Sequence, residues 1–304
     1  MLKRLGRLLR DPSRILLWAT DFRVFRLMPD ERFLKLLFWL NMKKRLNLTH
    51  PRTFNEKMQW LKVHWRKPQM TQLVDKVAVK EIIRQIAPEV RVIPTLGVWD
   101  SFDEIDLDAL PAQFVLKPSH TSGDVYICRD RQKLDPEKLR RVETRWLKRE
   151  YYWGQREWPY KDVPPKLLAE PYLDDGSGGL RDYKFFCFHG QPRFFYLSQG
   201  MEDHHTARMA FMDMAGRALP FHRGDYLKFE ETPELPDCFE QLRALSTRIA
   251  EQVDVPFVRV DLYTFRDEVY FGEITFFPCS GFMPFEPEEW DERIGSYMTL
   301  PETD

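Results

Sequence analysis

Residues 258–281 read VRVDLYTFRDEVYFGEITFFPCSG. Residues 258–263 and 269–277 are rich in β-branched and aromatic side chains, and the polar run Arg266, Asp267, Glu268 between them is a turn signal, so the stretch predicts a β-hairpin. With the turn centred on Asp267, counting outwards pairs Phe265 with Val269, Tyr263 with Phe271, Asp261 with Glu273 and Arg259 with Thr275. Strand side chains alternate with period two, so the four polar residues share one face. Two directly opposed carboxylates cannot both ionise cheaply unless something positive sits between them. Arg259 and a divalent cation are the candidates.

Upstream of the hairpin, residues 238–253 predict a helix with Phe239, Leu242, Leu245 and Ile249 facing inward. Further back, the strand signals QFVLKPS, DVYICRD, KLLAEPYL and DYKFFCFHGQPRFFYLS are interleaved with helices at 74–86 and 137–149, with another strand near VIPTLGVW. Up to about residue 67 the chain is helix-rich, and PRTFNEKMQWLKVHW offers Thr53 and Asn55 as caps ahead of a Met58, Leu61, Trp65 stripe. Strand pairs alternating with helices predict a mixed α/β or α+β protein.

Composition narrows the function classes. A chain of 304 residues with 43% hydrophobic content can bury one large core or two adjoining ones, and a net charge of −1 argues against coating nucleic acid. Cys128, Cys187, Cys238 and Cys279 form no CxxC pair, so neither a zinc ribbon nor a disulfide framework is signalled, and a reducing compartment is expected. The adjacent His204 and His205 have poor spacing for metal ligands and read as loop residues. No apolar run approaches the roughly 20 residues needed to cross a bilayer. The first ten residues, MLKRLGRLLR, form a basic amphipathic pattern without a small-residue cleavage site, so no secretory signal is expected. Such a start can pack on its own domain or lie against an anionic inner-membrane surface.

Three further stretches can carry chemistry. In FVLKPSHTSGDVYI a strand delivers Lys117 and is followed by Ser119, Thr121, Ser122 and Gly123, whose small side chains would let backbone N–H groups approach an anion. GxxxxGK[ST] is absent, so this is not a Walker A loop. LVDKVAVKEIIR places Lys76 and Lys80 four apart on a helix face. PKLLAEPYLDDGSGGLRDYKFF carries Glu170 at one strand end and Asp182 at the start of the next, where carboxylates can accept hydrogen bonds from a nucleotide. Singly, each has a plain structural explanation: a hairpin turn, solvated lysines and strand-end acids facing water.

In order, the motifs resemble the ATP-grasp superfamily, which includes D-alanine:D-alanine ligase and biotin carboxylase. FNEKMQWLK, FVLKPSHTSG, DYKFFCFHGQP, VRVDLY and YFGEITFFPCSGF look more closely like the TupA-like ATP-grasp proteins, associated with cell-surface polysaccharide and teichuronopeptide synthesis. The resemblance covers about residues 30–300. It implies an ATP-grasp fold, two α+β subdomains clasping a nucleotide, with residues 1–70 as a helical extension and 71–304 as the ATP-grasp domain, its first part ending near 165 and its second beginning near 166. It implies that Lys76 and Lys117 bind nucleotide phosphates under the loop containing Ser119, Ser122 and Gly123. Glu170, with the backbone near Tyr172 and Leu173, would meet adenine, and Asp182 the ribose. Asp261 and Glu273 match the magnesium-binding carboxylates, and Arg259 the arginine that stabilises the transferring phosphoryl group. Where other members commonly show Asn, Thr275 stands as the third metal-side residue, a weaker oxygen donor.

The implied activity is that of a cytoplasmic, ATP- and Mg2+-dependent ligase. A carboxylate takes the γ-phosphoryl group to give an acylphosphate, and an amine displaces phosphate, on a polysaccharide or its precursor. A phosphotransferase on the same fold would keep every residue named and end on a sugar hydroxyl. A glycosyltransferase using Asp174 and Asp175 leaves the lysines and the hairpin unexplained. His120, Arg208, Arg223 and Lys228 are candidates for an acidic acceptor, and EYYWGQREWPYKD for stacking on a sugar or for core packing. The partners expected are a small molecule or polysaccharide precursor, with no nucleic acid.

Overall fold

The structure, a computed structural model of the chain, describes residues 20, 22–174, 180–200, 206–266 and 268–302. The basic first ten residues, Asp175, His204 and His205 lie outside them. The chain opens with helices α1 (Asp30–Met42), α2 (Phe54–His64), α3 (Gln69–Val74) and α4 (Ala78–Ile86). A first unit follows with strands β1 (Arg91–Val92), β2 (Gly97–Trp99), β3 (Phe114–Pro118) and β4 (Tyr126–Cys128), helices α5 (Pro136–Leu147) and α6 (Tyr152–Gln155), and strand β5 (Leu167–Pro171). The second unit holds β6 (Arg181–Phe188), β7 (Gln191–Gln199), β8 (Arg208–Asp213), helix α7 (Phe239–Val253), β9 (Phe257–Phe265), β10 (Glu268–Thr275) and helix α8 (Glu289–Gly295).

Two sheets result. The smaller has strand order β2-β5-β3-β4 and the larger β1-β10-β9-β6-β7-β8, so the expected α+β architecture is present. Helix α7 packs on β6, β7 and β9 through Phe239, Leu242, Leu245 and Ile249, all buried as their spacing predicts. Strand β6 is buried on both faces from Tyr183 to its end, which explains why it reads as apolar apart from Lys184.

The hairpin forms, but its turn is tighter than the sequence count implies. Glu268 pairs with Phe265 and Phe271 with Leu262, one residue off the predicted register. A bulge between Phe271 and Glu273 then inserts one residue, which restores the expected pairs Glu273 with Asp261 and Thr275 with Arg259. Gly272 occupies the bulge because a Cβ there would stand 2.9 Å from the Asp261 carbonyl oxygen and 2.9 Å from the Tyr263 ring.

Two other local expectations are corrected. The helix expected over 74–86 breaks, because the Asp75 side chain accepts a 2.8 Å hydrogen bond from the Val77 N–H and offers the backbone an alternative to helix. Lys76 therefore lies in the break and does not share a helix face with Lys80. At the start of α2, Thr53 is the N-cap of a capping box with Glu56, as its position suggests. Asn55 does not cap; it lies inside the first turn, fully buried, and bonds both ways with the Met283 backbone.

Helix α2 falls within residues 1–70, yet Phe54, Met58 and Leu61 belong to the large sheet's core, with the Phe54 ring against Phe186, Phe188, Phe257 and Phe285. From EYYWGQREWPYKD, Tyr152, Trp158 and Tyr160 are buried in this same core. A separate cluster under the small sheet holds Phe102, Phe114, Leu116, Leu139 and Leu167.

Beside this smaller cluster, the Glu143 carboxyl on α5 is fully buried without a protein hydrogen-bond partner, and burial pushes it up to about 8. An acid raised on folding holds its proton while the unfolded chain has lost it. Stability is therefore lost as pH rises from the ordinary carboxylate range towards 8. Glu143→Gln removes that loss, so its melting-temperature advantage over the parent should grow between pH 5 and pH 8. Parallel melting curves across that range would refute a protonated Glu143.

Candidate active site

A cavity of about 340 Å³ lies between the two sheets, within the size range of small-molecule sites. Strands β3 and β5 contribute Lys117 and Glu170, the break before α4 contributes Lys76, and β6 and β10 contribute Asp182 and Glu273. The apolar wall includes Val115, Ile127, Tyr172, Leu173, Phe271 and Ile274. Thus Lys76, Lys117, Gly123, Glu170, Tyr172, Leu173, Asp182 and Glu273, read from separate stretches, line one space.

Alternation puts Lys117 on this side of β3, since Phe114, Leu116 and Pro118 are buried on the other. Its ammonium lies 2.6 Å from one Glu170 oxygen, and Lys80 lies 2.6 Å from the other. Burial pushes the Glu170 carboxyl upward, but Lys117 and Lys80 outweigh it and hold it below the usual range. Lys80 is further fixed by the Ile93 carbonyl and the Thr95 hydroxyl, at 2.9 and 2.8 Å. Glu170 is thus a bridge between two lysines as well as a cavity wall. Lys76 donates to the Thr121 carbonyl, and burial pulls its ammonium down to about 8, with Glu273 opposing the fall and Lys117 adding to it.

The loop after β3 divides in two. Gly123, with φ of 81°, lines the cavity, whereas the Ser119 hydroxyl donates to the Pro164 carbonyl and accepts from the Lys166 N–H at 2.8 and 3.0 Å. Ser122 is bonded to Tyr151. Neither serine lines the cavity. His120 is buried with its Nε2 3.2 Å from the Arg149 carbonyl. Arg208 and Arg223 are paired with Glu230 and Asp225, and Lys228 lines a second cavity near β8.

At the hairpin, Arg259 supplies the positive charge that the opposed carboxylates require. Its Nε and Nη2 lie 2.7 and 2.6 Å from the two oxygens of Asp261, and Nη2 reaches Glu273 at 3.1 Å and Thr275 at 3.0 Å. Lys184, which the sequence reading did not single out, adds a second cation 3.0 Å from Asp261 and 3.4 Å from Asp182. Its signal lay in the RDYKFF motif, where it follows Asp182 by two on one strand face. Asp261 is wholly buried; burial raises its pKa, but Arg259 and Lys184 hold it below the usual carboxylate range. Asp182 is pushed up to about 6, by burial first, and its Oδ1 is buried without a hydrogen-bond partner. Glu273 differs from both, with 36% of its side chain exposed at the cavity.

The profile of the family described as TupA-like ATPgrasp matches residues 56–299. Among solved structures, the chain is similar to D-alanine–D-alanine ligase of Bacillus anthracis complexed with ATP, at 18% identity and a TM-score of 0.41, over 67% of this chain and 54% of that one. D-Alanine–D-alanine ligase of Helicobacter pylori matches at 15% identity and a TM-score of 0.43, over 75% and 61%. ATP-grasp ligase PsnB, complexed with a phosphomimetic variant of its minimal precursor, Mg and ADP, matches at 11% identity and a TM-score of 0.42, over 69% and 52%. The chain thus spans about half to three fifths of the length of these proteins. No curated protein matches the sequence.

Proposed function

The chain belongs to the TupA-like ATP-grasp family, and from that premise we propose that it is an ATP- and Mg2+-dependent ligase. It would join a carboxylate to an amine through an acylphosphate, on a cell-surface polysaccharide or its precursor. The observation that carries the reading is the single cavity in which Lys76, Lys117, Glu170, Asp182 and Glu273 converge beside an apolar wall. Lys76 and Lys117 suit the phosphates, the apolar wall with Tyr172 and Leu173 suits a flat base, and the orphaned Asp182 Oδ1 suits a hydroxyl donor such as a ribose.

The residues fit magnesium with one qualification of role. Among the described residues, no group of three or more His, Cys, Asp or Glu forms a ready-made metal site. Magnesium usually takes one or two carboxylates plus substrate phosphates, and Glu273 presents the accessible carboxylate. Asp261 could join only if Arg259 and Lys184 yielded one of its oxygens, so Glu273 would be the primary protein ligand and Asp261 the secondary one. When bound, the ion neutralises phosphate charge during transfer. Arg259 and Lys184, preorganised beside that position, would stabilise the negative charge that builds there, and no covalent nucleophile on the protein is required.

Lys76 gives the nucleotide site a pH signature. An ammonium lowered to about 8 is charged below that value and neutral above it, so ATP affinity measured without magnesium should fall as pH rises through 8. Titration calorimetry at pH 7 and pH 9 tests this, and Lys76→Met should flatten the difference. An equal pH dependence in parent and variant would remove Lys76 from the phosphate site.

The function itself is tested by incubating purified protein with MgATP and a panel of uronic-acid sugars and amino acids, with ADP and free phosphate read together. Both products should appear only when a carboxylate and an amine are present. ADP without free phosphate, with one hydroxylated compound sufficing, would replace the ligase by a kinase.

A further inference from the structure

Immediately after β10 the turn Pro278–Gly281 runs through three successive left-handed residues: Cys279 at φ 49°, Ser280 at φ 52° and Gly281 at φ 68°. For Cys279 and Ser280 this conformation is strained, so it persists only where the surroundings impose it. The surroundings that do so come mainly from helix α2. Asn55, Gln59 and Lys62 lie at i, i+4 and i+7 on one helix stripe, and all three are 0–1% exposed. Gln59 Nε2 donates to the Ser280 and Gly281 carbonyls at 2.9 and 2.8 Å, and Lys62 Nζ donates to the Ser280 carbonyl at 2.8 Å. Asn55 secures the Met283 backbone in both directions. On the other side, the Ser280 hydroxyl donates to buried Glu157, and Lys62 also reaches the Gln155 carbonyl at 2.9 Å. The approach is so close that a Cβ on Gly281 would lie 2.5 Å from Gln59 Nε2 and 2.6 Å from the Met58 Cβ.

A buried ammonium and two buried amides are an expensive way to join a helix to a loop, because hydrogen bonds must offset their desolvation, and the Gln59 Oε1 is buried without a partner among the described residues even so. Apolar packing would hold a loop in general; aiming carbonyls fixes the direction in which the turn faces. That direction bears on the hairpin: the turn begins three residues after Thr275, which bonds Arg259, and it leaves Cys279 exposed at the surface, its thiol raised by burial on its inner side and only partly brought back by Arg223 and Arg259.

Resting on the ligase reading above, we propose that helix α2 is a working part of the active site, in which Gln59 and Lys62 are positioning residues that hold the turn Pro278–Gly281 in its left-handed form beside Arg259. The segment preceding the nucleotide cavity would then set the geometry of transfer without touching the nucleotide.

The test compares Lys62→Met and Gln59→Leu with Lys57→Met. Lys57 is a control on the same helix that also grips carbonyls, those of Gly295 and Met298, but away from the turn. Three quantities are measured: the maleimide labelling rate of Cys279 by peptide mass spectrometry, ATP affinity, and ATP turnover with the panel above. Lys62→Met and Gln59→Leu should alter Cys279 labelling and lower kcat on the order of 100-fold, the scale expected of a small misplacement near the chemistry, with ATP affinity little changed. Lys57→Met should lower the melting temperature without moving labelling or kcat. Unchanged labelling in both turn-side variants, or an equal change in Lys57→Met, would overturn the proposal. If the parent protein turns over no ATP, the ligase reading fails by itself, while labelling still decides whether Gln59 and Lys62 hold the turn.

Discussion

Asp261→Asn should lower stability by about 3–5 kcal/mol, the usual cost of breaking one side of a buried ion pair, and should leave no measurable ATP turnover. Asp261 is wholly buried, with Arg259 on both oxygens and Lys184 on one of them. An amide at this position offers one acceptor oxygen in place of a charged pair and turns its NH2 towards a cation. Arg259 and Lys184 are then left facing each other across the site with only Asp182 and Glu273 to compensate. The linkage has a definite sign. A carboxyl held below its ordinary range stabilises the fold above that range, and the contribution is lost as pH falls through the lowered pKa. The stability gap between the parent and Asp261→Asn, read from urea midpoints, should therefore persist at neutral pH and narrow under acid. An unchanged midpoint at pH 7 would contradict the ion-paired role of this residue.

The reason this destabilisation was not legible in the sequence is topological. Local pairing inside the hairpin follows from alternation and a turn signal, and it correctly opposes Asp261 to Glu273 and Arg259 to Thr275. It does so through two offsetting features, a tighter turn and the bulge at Gly272, neither of which a count from Asp267 contains. By contrast, the pairing of Lys184 with Asp261 depends on β6 lying beside β9, a contact 77 residues apart that no periodicity reports. The polar stripe on α2 was hidden for a different reason. Met58 and Leu61 announce an inward face, whereas Asn55 reads as a cap and Gln59 and Lys62 carry no signal of burial, because polar residues are seldom buried unless something unseen satisfies them. Lys76 likewise looked helical, until Asp75 captured the local backbone. Residue types and strand order were readable; the long-range partners that decide charge state were not.

Glu273→Gln should show the opposite balance, losing about 10²–10³-fold in turnover while stability stays nearly unchanged. Its side chain is 36% exposed and, among the described residues, its Oε1 is held by Arg259 and Thr275, so the fold does not depend on its charge as it does on that of Asp261. Loss of activity alone would not distinguish a metal ligand from a general disturbance of the cavity, but Glu273 is also the carboxylate that most supports the Lys76 ammonium. Removing it lets burial pull Lys76 below about 8, so ATP affinity measured without magnesium should begin to fall at a lower pH than in the parent protein. Near pH 6, where Lys76 keeps its proton in either form, the variant should bind the free nucleotide at least as well, since one negative charge facing the phosphates is gone. With magnesium added, the order should reverse, because the parent gains a carboxylate ligand that the variant lacks. Calorimetric titrations at pH 6 and pH 8, with and without the ion, separate these effects. If magnesium strengthens binding equally in both proteins, Glu273 is not the metal's protein ligand, and the shift in pH dependence would still report on its electrostatic support of Lys76.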